Sequence, residues 1–191
     1  MKILTLRSSV ALACALSLAA CGGGDGNLQL AGSSYNVTMA GLELINNSNG
    51  DKVAVAAGQQ TFFFPKLLSN DENFDVTVAT QPDNAVCTVT TGKGMTGSFN
   101  IGSVVVTCVT KTHELGGQVS GLNTGGLVLV NGSDKVVVPA GATTFKLANV
   151  GEGSPYGVTI LSQPVPRNCS VAQGVGTMGK TAPNNIVVTC I

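Results

Sequence analysis

The chain has 191 residues with 25 glycines, no tryptophan, 4% aromatic and 10% charged residues, and a formal net charge of zero. So sparse and balanced a charge excludes electrostatic capture of nucleic acid or of an anionic membrane surface. The abundance of glycine, valine and threonine favours short strands and turns over helices.

Residues 1–20 read as a secretory signal: Lys2 and Arg7 form a charged start, and residues 10–20 form an apolar run too short to span a bilayer. It ends in Leu18-Ala19-Ala20-Cys21. This resembles the lipobox of bacterial lipoproteins, which implies cleavage ahead of Cys21 and acyl chains, palmitate among them, carried on Cys21. Several buried acyl chains hold a protein on a membrane where one chain is marginal. The resemblance also implies the outer membrane, because Gly22 rather than aspartate follows the cysteine. Without Lys2 and Arg7 the mature chain keeps eight basic against ten acidic residues.

Residues 21–33, opening Gly22-Gly-Gly-Asp-Gly26, are expected to be a flexible tether. Polar and apolar residues then alternate over 34–39 and 41–45, predicting two half-buried strands. A turn cluster, Asn46-Asn-Ser-Asn-Gly50, follows. Further strands are predicted over 52–56, 61–64, 74–80, 86–91 and 103–108, with Gln81-Pro82 closing one strand and Gly92, Gly94 and Gly97 reading as a turn. That makes seven strands. Residues 109–115 are expected to be a linker, and seven more strands follow over 117–120, 127–131, 135–138, 143–147, 156–162, 168–173 and 186–190.

The second set repeats the first. Phe74-Asp-Val-Thr-Val-Ala-Thr-Gln-Pro82 leads to Cys87 and Cys108, and Tyr156-Gly-Val-Thr-Ile-Leu-Ser-Gln-Pro164 leads to Cys169 and Cys190, at one offset of 82 without a gap. The chain is therefore divided into a signal (1–20), a tether (21–33) and two modules (34–110 and 111–191). Each is predicted to be a seven-stranded Ig-like or prealbumin-like β-sandwich. Modules of this size have marginal cores.

Four cysteines remain after Cys14 leaves with the signal and Cys21 is acylated, and four allow three pairings. Equal spacing within the repeats argues for Cys87 with Cys108 and Cys169 with Cys190, one disulfide per module. Parity agrees: Val104, Val106 and Cys108 share one strand face, and a cysteine opening one strand of a hairpin faces a cysteine closing the other. No Cys-x-x-Cys spacing or accompanying histidine points to metal or redox chemistry.

The order Gly117-Gln-Val-Ser-Gly-Leu122, Gly126-Leu-Val-Leu-Val130, Phe145-Lys-Leu147 and Tyr156-Gly-Val-Thr-Ile160 resembles carboxypeptidase regulatory-like and collagen-adhesin B-type modules, which are prealbumin-like sandwiches. The whole chain is also similar to bacterial lipoproteins built of repeats with Gly-Leu-Val-Leu, Thr-Phe, Gln-Pro and paired cysteines. Adhesin modules often carry a Lys to Asn isopeptide between first and last strands. Neither first strand here contains lysine, so that bond is not expected.

Little points to catalysis. His113 sits in the expected linker beside Glu114, with no nucleophile to serve. Asp71, Glu72, Asp75 and Asp83, with Asn70, Asn73 and Asn84, gather oxygen ligands that could suit calcium, yet the second repeat replaces most of them, and no metal or cofactor is expected. Phe62-Phe63-Phe64 exceeds the matching Thr144-Phe145-Lys146 and offers a recognition patch or extra packing. The sequence thus predicts a non-catalytic, lipid-anchored envelope protein, a structural or binding module. Its alternative is a surface adhesin for an envelope or extracellular protein or a glycan. A hydrolase would require two carboxylates, such as Asp75 and Asp83, to converge on one ligand.

Overall fold

The computed structural model describes residues 26–191. The signal segment and Cys21 lie outside the described residues. Among the described residues there are strands and turns but no helix.

In the first module the strands are β1 (Leu30–Tyr35), β2 (Leu42–Asn46), β3 (Asp51–Val55), β4 (Thr61–Phe63), β5 (Asn73–Thr80), β6 (Ala85–Thr90), β7 (Lys93–Met95) and β8 (Ile101–Thr110). They form two four-stranded sheets, ordered β4-β1-β8-β6 and β3-β2-β5-β7. The second module repeats this with β9 (Thr112–Ser120), β10 (Leu127–Asn131), β11 (Asp134–Val138), β12 (Thr144–Gly151), β13 (Pro155–Ser162), β14 (Cys169–Ala172), β15 (Val175–Thr177) and β16 (Val187–Cys190). Its sheets run β12-β9-β16-β14 and β11-β10-β13-β15. All pairings are antiparallel except first strand with last, β1 with β8 and β9 with β16.

Alternation along the strands fills a separate core in each module. Leu42 and Leu44 of β2, Phe74 and Val76 of β5, and Val104 and Val106 of β8 point inward in the first. Leu127 and Leu129, Tyr156 and Val158, and Ile186 and Val188 do so in the second. The same inward side carries the disulfides. Cys87 lies directly opposite Cys108 in the β6–β8 ladder, and Cys169 opposite Cys190 in the β14–β16 ladder. Each bridge joins neighbouring strands of one sheet, as strand parity predicted.

Three expectations are corrected. The first module begins before residue 34. Leu28 and Leu68 exchange main-chain hydrogen bonds of 3.0 and 2.8 Å, and Leu30 opens β1 with its side chain fully buried. Leu28, Leu30, Gly32 and Ser34 continue the inward alternation, so residues 28–33 belong to the sheet, not to a tether, and 36–39 leave it. Nor is 109–115 a linker: β8 runs to Thr110 and β9 starts at Thr112, leaving only Lys111 between them.

The third correction concerns the glycines expected to form a turn. Each module has an eighth strand, β7 or β15, built around Gly94 or Gly176. A Cβ on Gly94 would stand 2.8 Å from the Phe74 ring, and one on Gly176 2.8 Å from the Tyr156 ring. Glycine is there so that an aromatic ring can lie over the neighbouring strand's backbone, covering what would otherwise be an exposed edge. In the other sheet the contact is reversed: the ring of edge-strand Phe62 or Phe145 lies over Gly32 or Gly117 of the neighbouring central strand, at 2.6 and 2.8 Å.

Candidate functional site

The Gln-Pro of each repeat has a local task. Gln81 Nε2 donates to the Cys87 carbonyl (2.9 Å) and the Cys87 N–H donates to Gln81 Oε1 (2.7 Å). Gln163 makes the same pair with Cys169, at 2.9 and 2.8 Å. β6 and β14 are edge strands, so the primary amide stands where a further strand would bond and closes that edge. It also leaves each cysteine in a non-hydrogen-bonded pair with its partner, where opposed side chains come closest. Gln81→Ala should lower the first module's stability by about 1–2 kcal/mol, for two lost hydrogen bonds on a part-buried group. Denaturant unfolding with an unchanged slope would register it; an unchanged midpoint would show that the clamp contributes nothing.

The three phenylalanines separate. Phe62 and Phe64 are each 1% exposed and meet edge to face, ring centroids 6.2 Å apart at 81°. They belong to the core and not to a recognition patch, because residues 62 and 64 share the inward parity. Phe63, between them, is 65% exposed. It lies on the outward face of the β4-β1-β8-β6 sheet, where every outward strand position is uncharged, from Thr61 and Phe63 through Tyr35, Val105 and Thr107 to Val86 and Thr88. Val86 and Val109 sit opposite each other there, both exposed. The matching face of the second module carries Glu114 and Lys146, paired at 2.9 Å. Phe99, in the loop before β8, is 83% exposed.

The acidic cluster disperses. Glu72 Oε2 accepts the Ser69 N–H (2.7 Å), and the loop is tied to Thr96, which receives the Glu72 N–H on its hydroxyl (2.8 Å). Asp75 pairs with Lys93 at 3.1 Å, while Asp83 pairs with Lys180 of the second module at 3.2 Å. Asp75 and Asp83 therefore face different cations and do not converge on one ligand. Among the described residues no group of three histidine, cysteine or carboxylate side chains is placed to hold a metal.

His113 is not a solvated linker residue. It stands on β9, and its Nε2 lies 2.8 Å from Oε1 of Glu152, a carboxylate only 7% exposed. Sequence distance hid this pair, since Glu152 follows β12, beyond the reach of any local motif.

Glu152 belongs to the junction between the modules. The Lys111 N–H donates to the Asn84 carbonyl and the Lys111 carbonyl accepts the Glu152 N–H, both at 2.8 Å. Lys111 Nζ donates to the Asp83 carbonyl, also at 2.8 Å. One residue is thus pinned to both modules. Beside it lies a cleft of 150 Å³ lined by Met39, Asn84, Glu152 and Met178, with Asp83 and Lys180 also on its wall.

No family model matches the chain, and no curated protein does. Among solved structures it is similar to the major pilin protein (T-13) of Streptococcus pyogenes serotype GAS131465, at 14% identity over 85% of this chain and 96% of that one. The TM-score is 0.29.

Proposed function

We propose that this is a non-catalytic lipoprotein of the cell envelope, held on the outer membrane through acylated Cys21, in which two stapled sandwiches act as a structural or binding module. The observation that carries this reading is Leu18-Ala19-Ala20-Cys21 at the end of a short apolar run. Gly26 already packs against the first module, for a Cβ there would stand 2.3 Å from Leu68 main chain. From Cys21 to Leu28 a fully extended chain reaches about 25 Å, so the first sandwich would stand close to the bilayer. The engagement of Asp75, Asp83 and Glu72 in structural contacts supports the non-catalytic part.

Cys21→Ser should move the protein from the membrane to the soluble fraction. Intact mass of the detergent-extracted wild type should carry the added mass of acyl chains on residue 21. An unmodified Cys21, or a Cys21→Ser protein still in the membrane, would refute lipid anchoring.

A second reading, adhesion to an extracellular protein or a glycan, is favoured by the uncharged outward face around Phe63. Interfaces concentrate aromatic residues and deplete charge at their centres, and the second module's corresponding face lacks this character.

A further inference from the structure

We propose that the cleft between the two modules is a binding site for a primary ammonium group on a short alkyl stem. It is independent of how the protein is attached to the membrane.

The cleft has the makings of a site because its polar groups are left incomplete by the fold. Asn84 is 5% exposed, and its Nδ2 donates to Thr38 Oγ1 at 3.1 Å. With the amide so placed, Oδ1 is the remaining end, buried and without a hydrogen-bond partner. Buried acceptors are seldom left open without a ligand or water to fill them. On the same wall stands Glu152, nearly buried, with His113 on one carboxylate oxygen. A buried carboxylate is stabilised chiefly by an opposite charge with N–H donors.

The nearby cations are otherwise engaged. Lys180 pairs with Asp83, and Lys111 Nζ donates to the Asp83 carbonyl. Neither lysine pairs with Glu152 or with Asn84 Oδ1, although Lys180 stands on the cleft wall, and an ammonium brings three N–H groups on one charge. Met39 and Met178 also line the cleft, and flexible thioether side chains suit an alkyl stem. A volume of 150 Å³ equals about five waters of liquid, which fits an amine headgroup with a few carbons and not a folded partner.

The full chain in detergent, labelled with ¹³C at the methionine methyls, tests this by titration with n-butylammonium. Met39 and Met178 should shift together and saturate, while Met95, exposed on β7 away from the cleft, should not. Tetramethylammonium, which has the charge without N–H donors, and n-butanol, which has a donor without the charge, should bind at least tenfold more weakly. Glu152→Gln should weaken n-butylammonium at least tenfold, and Asn84→Ala several-fold, each in a protein whose two disulfides and melting curve are intact. A lack of saturable shift at Met39 and Met178 would overturn the proposal. So would equal binding of tetramethylammonium or n-butanol, or an unchanged dissociation constant in Glu152→Gln. Should Asn84→Ala fail to fold, Glu152→Gln and the two control compounds still decide it.

Discussion

Replacing Cys87 and Cys108 together by alanine should lower the first module's melting temperature by roughly 12–24 °C and leave the second module's transition where it was. The bridge closes a loop with a sequence separation of 21. In the chain-entropy model, a loop of that length restricts the unfolded chain by about 3 kcal/mol. For a domain of 60–100 residues, each kcal/mol moves the midpoint by about 4–8 °C, and a whole domain is worth only about 5–15 kcal/mol. The loss falls on one module because the cores are separate: Cys87 and Cys108 pack with Leu30 and Val106, and Cys169 and Cys190 with Leu115 and Val188. Calorimetry should resolve two transitions, one displaced. If both fell together, the modules would unfold as one unit; if neither moved, the bridge would add nothing to stability.

Phe62→Ala should be the most damaging single side-chain truncation in the first module, at about 3–5 kcal/mol, whereas Phe63→Ala should stay within about 0.5 kcal/mol of wild type. The two are neighbours on one short strand, and only parity separates them. The Phe62 ring lies over Gly32, where even a Cβ would approach within 2.6 Å, and against Phe64. Its removal opens a cavity that backbone on either side cannot close. Phe63 leaves the protein folded when cut back, which makes it the clean probe of adhesion. Loss of binding to an immobilised protein or glycan in Phe63→Ala, with an unchanged melting curve, would locate recognition on that face. Equal destabilisation by both substitutions would show that the assigned faces are wrong.

Most of the architecture was legible because the strands are short, alternate strictly and are written twice. Cysteine spacing and parity together were enough to place both bridges. The repeat extends further than the gapless part, and the structure explains why the offset drifts. The β2–β3 turn of the first module, Asn47-Ser-Asn-Gly50, becomes Gly132-Ser133 between β10 and β11, two residues shorter. Asn46 and Asn131 nevertheless keep one role, accepting the N–H of Asp75 or Gly157 at 2.9 and 2.8 Å.

What could not be read was set by contacts distant in sequence. Gly92 and Gly94 carry a turn signal whichever way they are used, and only the Phe74 ring above Gly94 shows that the backbone there is extended. Gln81 reads as a strand end, but its amide serves the edge of the next strand. His113 finds Glu152 only after β9 and β12 have paired. The candidate site suffered most, because the junction cleft draws on Met39, Asn84, Glu152 and Met178, four positions with no common motif.

The joint at Lys111 has a mechanical consequence. With a single residue between β8 and β9, hydrogen-bonded to main chain on both sides, a pull on the two ends of the chain travels through a nearly unbroken run of extended backbone, with no slack segment to reel out first. Once a module gave way, the segment between its cysteines would remain looped, withholding about 70 Å of contour length from extension. Under tension this protein would behave as a short, stiff link.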